Sequence, residues 1–238
     1  MIEEYNRVVA SHYSAYRPPL HEIILEYVLS KNEIFADGLD IGCGTGYSAI
    51  ALARYCSQVY GIEPSSAMLS EATQHERIRY LPGFGEAIPL LSSSVDIVTF
   101  AGSLFYTKSP ALIKELKRVC RTNATIVVYD FEVLLNDILF QCGIDLAKST
   151  YNYDHAINLS DAADFVEIIA HNKQIIFEAI ASDLAHILLS TSYNYNAFVK
   201  KYNSLNVFPQ LVNELKQIQK EYSLMANIYF AKYQLNSA

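Results

Sequence analysis

The chain has 238 residues, 51% of them hydrophobic, and carries 25 acidic against 18 basic side chains for a net charge of −7. That length and apolar content suit a folded α/β domain with insertions and exclude a disordered chain, while the acidic balance argues against a nucleic-acid partner, which needs a basic face for its phosphates. No apolar run reaches membrane-spanning length, and Met1-Ile2-Glu3-Glu4-Tyr5 has neither the basic run nor the apolar core of a signal peptide, so no membrane partner and a cytoplasmic location are expected.

Asp37–Gly42, a short apolar run that stops on glycine, predicts a strand. Thr45–Tyr55, with Ile50, Leu52 and Ala53 at helical spacing, predicts the helix after it. Gln58–Glu63 reads as a second strand. Pro64 and Ser65 then open a helix running through Ala67, Met68, Leu69 and Ala72, with Ser65 as its N-cap. Ile78–Leu81 is a third strand. Val95–Ala101, a nearly continuous apolar run between Ser92-Ser93-Ser94 and Gly102, predicts a strand buried on both faces. Ser109–Cys120 is an amphipathic helix and Ala124–Phe131 a β-branched strand.

Further on, Val133–Ile144 is a helical candidate followed by the polar stretch Ser149–His155. Asp161–Asn172 is expected to be helical and Gln174–Ala181 a strand. Leu184–Leu215 is mostly helical with a break around Asn203–Pro209, and Leu224–Tyr233 is a final strand. Such β-α alternation implies an α/β, doubly wound, mostly parallel seven-stranded sheet with helices on both faces and right-handed crossovers. The late helices form an insertion between the last two strands and are expected to cap the sheet. No linker or repeat divides the chain, so one domain is expected over 1–238. It has core motifs at 34–131, an N-terminal cap segment at 1–33, and insertions at about 132–160 and 183–220.

Ligands of such sheets bind at the carboxyl ends of the strands, which directs attention to the loops after Ile41, Ile62, Leu81 and Phe100. The first of these reads Asp40-Ile41-Gly42-Cys43-Gly44-Thr45-Gly46. Its glycines permit backbone angles closed to other residues and let a ligand approach the main chain. A dinucleotide fingerprint spaces its glycines G-x-G-x-x-G, and its third position here is Tyr47. A P-loop requires Gly-Lys-Ser/Thr, and this loop has no lysine. A nucleoside without phosphates is the better ligand. Glu63, at the end of the second predicted strand, then has the chemistry to accept hydrogen bonds from both ribose hydroxyls.

Taken in order, LDIGCGTG (39–46), VYGIEPSSAML (59–69), GEAIPL (85–90), SVDIVTF (94–100) and LKRVCR (116–121) resemble the motifs of class I S-adenosylmethionine-dependent methyltransferases. The small-molecule branch that includes trans-aconitate methyltransferase-like proteins is the nearest resemblance, and His12-Tyr13-Ser14-Ala15-Tyr16-Arg17-Pro18-Pro19 is similar to that branch's N-terminal segment. The resemblance implies a Rossmann-like fold and S-adenosyl-L-methionine as cofactor, leaving as S-adenosyl-L-homocysteine. It implies that Asp40 holds the methionine amino group and that Gly42, Cys43, Gly44 and Gly46 bring the backbone close. Glu63 would bind the ribose, with Pro64 beside it, and Met68 would pack on the adenine. Gly85 and Glu86 would border the ring, and Ala101 and Gly102 would face the methionine portion.

Two positions depart from that pattern. Phe84 stands where the family often has an Asp that contacts the adenine amine, so adenine recognition would rest on stacking or main-chain bonds. Phe105-Tyr106 stands where the branch has His-Trp, so no histidine base follows the fourth strand. Tyr13, Tyr16 and Tyr106 are the candidate catalytic residues, and Tyr16, Arg17, Phe105 and Tyr106 the candidate substrate contacts. The six histidines are scattered; His12 and His155 could approach the cleft, with a surface or satisfied histidine as the default expectation. Asp145, Asp154 and Asp161 show no paired-carboxylate spacing. Cys43, Cys56, Cys120 and Cys142 form no C-x-x-C pair and have no histidine at zinc spacing, so buried free thiols and no metal are expected. The expectation is methyl transfer to a small-molecule acceptor by in-line displacement. Its rivals are a cofactor-binding protein without that activity, a protein or RNA methyltransferase, and an NAD-dependent oxidoreductase, which Tyr47 and the motif order disfavour.

Overall fold

The computed structural model describes residues 7–144 and 153–236. Asp145 and the Ser149–Asn152 part of the polar stretch lie outside them. The chain runs α1 (Arg7–Ala15), α2 (Leu20–Val28), β1 (Phe35–Ile41), α3 (Tyr47–Leu52), β2 (Cys56–Glu63) and α4 (Ser66–Ser70). Then come β3 (Ile78–Pro82), β4 (Val95–Ala101), α5 (Leu104–Thr107), α6 (Pro110–Val119) and β5 (Cys120–Val133). The remainder is α7 (Asn136–Gln141), β6 (Phe165–Ile180), α8 (Ala181–Leu189), α9 (Ser192–Tyr202), α10 (Val207–Ile218) and β7 (Glu221–Leu235).

Local chemistry sets several of these boundaries. The Ser65 hydroxyl accepts from the Met68 amide and caps α4 as expected. Ser109 does the same for the Leu112 amide, with Pro110 in the first turn of α6. The helix after the glycine loop is shorter than its periodicity predicts, because Gly46 at φ +94° marks its start and the chain turns at 53–55.

The seven strands lie in the order β3-β2-β1-β4-β5-β7-β6. Strand β1 is parallel to both β2 and β4, β2 to β3, and β4 to β5. Hydrogen bonds join residue 134 to 225 and 123 to 234, so β7 runs antiparallel to β5. Bonds joining 174 to 227 and 178 to 223 make β7 antiparallel to β6 as well. The sheet is thus mixed but mostly parallel.

Alternation along β1 separates the two faces. Leu39 and Ile41 join Leu112 and Leu116 of α6 in one buried cluster. Gly38 and Asp40 face the other way, toward Leu52 and Ser48 of α3. Helices therefore cover both faces, as a doubly wound sheet requires.

Strand β6 corrects one expectation. Asp161–Asn172 is not helical: Phe165–Ile180 is a single strand that also takes in the predicted Gln174–Ala181 strand up to Ile180, Ala181 opening α8. Val166, Ile168 and Ile169 are β-branched, and their spacing satisfies either template, so pairing with β7 decides. The helices α8, α9 and α10 do fall between the last two strands, with the expected break after Tyr202 and a further one at 190–191.

By its internal contacts the chain divides into two compact units. One comprises residues 19–132, 153–173 and 228–238 and holds the parallel sheet. The other comprises 1–18, 133–152 and 174–227. In the second, α8 packs on α1, α9 and α10. His12 and His186 approach Nδ1 to Nδ1 at 3.0 Å, and both rings lie against Phe208. All four cysteines are buried and free, as expected. Among the described residues no helix is long and apolar enough to cross a membrane.

Candidate functional site

Strand order reverses between β1 and β4, and the loops at the carboxyl ends of β1, β2, β3 and β4 all belong to the sheet unit. Asp40 lies one residue before the end of β1 and is fully buried. One carboxylate oxygen accepts from Ser48 Oγ of α3 at 2.5 Å and the other from Thr99 Oγ1 of β4 at 2.7 Å. Burial pushes its pKa up to about 6, against those two hydroxyl donors, and the charge of Glu63 adds to the rise. The side chain expected to hold an amino group thus joins strand, helix and neighbouring strand.

The loop that follows is held by backbone bonds. The Gly42 and Cys43 amides both donate to the Ile62 carbonyl, at 2.8 and 3.1 Å, and the Gly46 amide donates to the Cys43 carbonyl at 2.8 Å. Gly42 has φ +73°, and a Cβ there would lie 2.5 Å from that of Ser103, whose hydroxyl donates to the Ile41 carbonyl. Gly46 is still more constrained, since a Cβ would meet the Tyr80 hydroxyl oxygen at 2.1 Å. Gly44 differs: a Cβ there would have no atom within 4 Å. The middle of the loop therefore presents bare backbone to open space. Cys43 turns its thiol inward toward Gly61, leaving only its main chain for a ligand.

Glu63 closes the second side. One of its oxygens accepts from the Gly44 amide at 3.1 Å and the other from the Ser65 amide at 3.0 Å. Each oxygen keeps a second lone pair. Pro64 is exposed and Met68 half-buried at the head of α4. After β3, Gly85 is buried with Leu112 pressed against it, while Phe84 is 61% exposed. Glu86 is exposed and accepts from Ser109 Oγ at 2.9 Å, so its carboxylate serves the start of α6. Ala101 ends β4, and Gly102 follows it with φ +71°.

Of the candidate substrate contacts, Phe105 and Tyr106 lie in α5 and pack against Tyr153, with ring centroids 4.6 and 5.8 Å away. Tyr13, Tyr16 and Arg17 belong to the other unit. There the Arg17 guanidinium sits 3.8 Å from the centre of the Tyr13 ring, and burial, with the charge of Asp183, raises the pKa of Tyr16. His155, a surface or satisfied histidine by default expectation, pairs with Asp130 near the end of β5. No spacing rule links positions 130 and 155, so only the fold brings them together. Asp154 bonds the nearby Ala156 amide and Asp161 pairs with Lys108, and neither forms a carboxylate pair.

Residues 39–128 match the family described as a methyltransferase domain. A Dictyostelium discoideum protein described as a methyltransferase is 28% identical over 130 residues, covering 53% of this chain and 48% of that one. CRG1 of Saccharomyces cerevisiae, described as an S-adenosylmethionine-dependent methyltransferase, is 28% identical over 129 residues, covering 50% of this chain and 44% of that one. The chain thus spans about half the length of these curated relatives. Among solved structures, one from Anaeromyxobacter dehalogenans described as a type II methyltransferase has a TM-score of 0.64 at 19% identity, covering 91% of this chain and 96% of that one. YcgJ of Bacillus subtilis has a TM-score of 0.52 at 13% identity, covering 93% and 100%. These likenesses carry the fold. Residues 39–128, which hold the glycine loop, the strand-end glutamate and the strands on either side of the reversal, match the family described as a methyltransferase domain, and the fold they belong to is that of the solved methyltransferase structures.

Proposed function

We propose that the chain is a methyltransferase that uses S-adenosylmethionine to methylate a small molecule. The observation that carries this reading is the pairing of Gly44 with Glu63. A glycine peptide faces open space, and its amide fixes a carboxylate whose remaining lone pairs suit the two hydroxyls of a ribose. In this reading Gly42, Cys43, Gly44 and Gly46 offer main chain to the cofactor, and Pro64 and Met68 line the nucleoside side. Exposed Phe84 stacks on the adenine in place of an acidic contact. Ala101 and Gly102 face the methionine portion. Asp40 acts from beneath by holding β1, α3 and β4 together at the loop, because it is fully buried while Glu63 is not.

When bound, S-adenosylmethionine supplies a methyl carbon on a sulfonium, which becomes a neutral thioether as the methyl departs. The protein's share of the rate is alignment of the acceptor with that carbon in a water-poor site. The net charge of −7 supports a small-molecule acceptor over RNA.

Calorimetry with S-adenosylhomocysteine, followed by transfer of a labelled methyl group to fractionated small metabolites, proteins and RNA, tests the reading. Binding with label in the small-molecule fraction is expected. No heat of binding overturns the cofactor assignment. Binding with label only in protein or RNA overturns the acceptor class, and binding without any transfer leaves a cofactor-binding protein.

A further inference from the structure

Helix α5 offers no histidine beside the carboxyl end of β4, yet the fold delivers one from elsewhere in the sequence. His155 Nδ1 lies 2.8 Å from Asp130 Oδ2, and Asp130 Oδ1 accepts from the Phe131 amide at 2.7 Å. A carboxylate only accepts, so Nδ1 carries the hydrogen and Nε2 presents its lone pair. Among the described residues Nε2 has no hydrogen-bond partner. The imidazole is held edge-on to Tyr153 at 4.6 Å and stacked on Tyr229 at 5.7 Å. Its side chain stays 29% exposed, enough to exchange a proton with water.

Asp130 and Tyr153 both lie beside Gly102, the residue that follows β4. The Tyr153 hydroxyl donates to the Gly102 carbonyl at 2.7 Å. A Cβ on Gly102 would lie 3.0 Å from Asp130 Oδ1 and 3.5 Å from the Tyr153 hydroxyl oxygen. Gly102, given above to the methionine portion, is therefore flanked by the two groups that fix His155.

Among the described residues the charged groups that act on the ring are acidic, Asp130 and Glu132 of β5 and Asp154; Tyr153 and Tyr229 pack against it, and His171 lines the same cavity. Lys108, at the end of α5, is committed to the Asn158 carbonyl and to Asp161 at 2.8 and 2.7 Å. An anionic acceptor would meet like charges here, and a carboxylate has no proton to lose at neutral pH.

We propose that His155, oriented by Asp130, takes the proton from a methyl acceptor whose nucleophile is a hydroxyl or an ammonium, and that carboxylates are not acceptors at this site. The proposal rests on the methyltransferase reading above. In the step the acceptor's O–H or N–H bond breaks and its proton goes to Nε2. The electron pair left behind forms the bond to the methyl carbon, while the carbon–sulfur pair stays on sulfur. The positive charge lost from sulfur equals that gained by the imidazolium. The hydrogen bond to Asp130 and the surrounding acidic charge hold the His155 pKa above its ordinary 6.5, against partial burial. The active, neutral ring therefore gains population as pH rises through that value.

Calorimetry with S-adenosylhomocysteine comes first, on wild type, His155→Gln and Asp130→Asn, with thermal melts to establish folding. Equal affinities are expected. No binding to wild type overturns the methyltransferase reading and this proposal with it. Nitrogen NMR of the imidazole is then expected to show the Nδ1–H tautomer of His155 and titration above pH 6.5, falling in Asp130→Asn. Labelled methyl transfer to a panel of phenols, alcohols, amines and carboxylic acids is expected on hydroxyls or amines. His155→Gln should lower kcat by about 10²–10⁴-fold with little change in KM, and Asp130→Asn, which keeps the ring, should shift the pH profile toward acid. An Nε2–H tautomer, no transfer to any hydroxyl or amine, or His155→Gln within threefold of wild type overturns the proposal.

Discussion

Replacing Asp40 by Asn removes a buried charge while keeping the shape that joins β1, α3 and β4. The carboxyl is fully buried, with its pKa raised from 3.8 to about 6. The folded protein thus holds that proton more tightly than the unfolded chain does, and acid favours folding. Between about pH 4 and 6 the Asp40 contribution to stability falls as pH rises, and above pH 6 the full penalty stands at about 3 kcal/mol. Asn avoids the penalty, but its NH₂ forces one of the Ser48 and Thr99 hydroxyls to accept rather than donate, which costs about 1 kcal/mol. The balance is a gain of about 2 kcal/mol at pH 8 and a loss of about 1 kcal/mol at pH 4. In a chain of this size that is a Tm roughly 4–8 °C higher at pH 8 and a few degrees lower at pH 4. Thermal melts of both proteins at the two pH values measure it, and calorimetry with S-adenosylhomocysteine should show affinity falling by about tenfold or more as the loop loses its charged anchor. A variant less stable than wild type at pH 8, or a Tm difference independent of pH, would refute the view that Asp40 is held at a cost to stability.

Glu63→Gln should weaken S-adenosylhomocysteine binding by about 10- to 100-fold, the worth of a charged acceptor, measured by calorimetry; unchanged affinity would exclude Glu63 from the ribose. Gly46→Ala forces a side chain into φ +94° against Tyr80, and should lower stability by about 3 kcal/mol or more in chemical denaturation. Adding Tyr80→Ala should recover only the steric part, since the backbone strain remains. His12 and His186 both have pKa values lowered below 6.5, chiefly by burial, so their contribution to stability is present above pH 6.5 and lost as pH falls through their folded values. His186→Phe should flatten that acid limb in melts taken between pH 5 and 7.5, and an unchanged slope would exclude the pair as its source.

The parallel half of the sheet was readable because each of its strands is a short apolar run closed by glycine or polar residues, and Val95–Ala101 matches β4 end for end. Ser65 and Ser109 mark helix starts for the same local reason. The stretch from Asp161 was not readable, because its β-branched residues accept either period and its partner β7 lies some sixty residues further along the chain. Within the site, the glycine loop and Glu63 were legible as a motif. Their mutual bond through the Gly44 amide was not, nor was the engagement of both Asp40 oxygens.

From its sequence alone this protein declares a mostly parallel α/β sheet and a glycine loop that is neither a dinucleotide fingerprint nor a P-loop. Those properties follow from neighbours in the chain: alternating periods, capping hydroxyls, three glycines and an absent lysine. Tertiary structure alone decided that β7 runs antiparallel between β5 and β6, that Asp40 is enclosed, and that His155 comes to Asp130 beside Gly102. Each of these depends on segments far apart in the chain, joined by strand pairing and burial that no local spacing encodes.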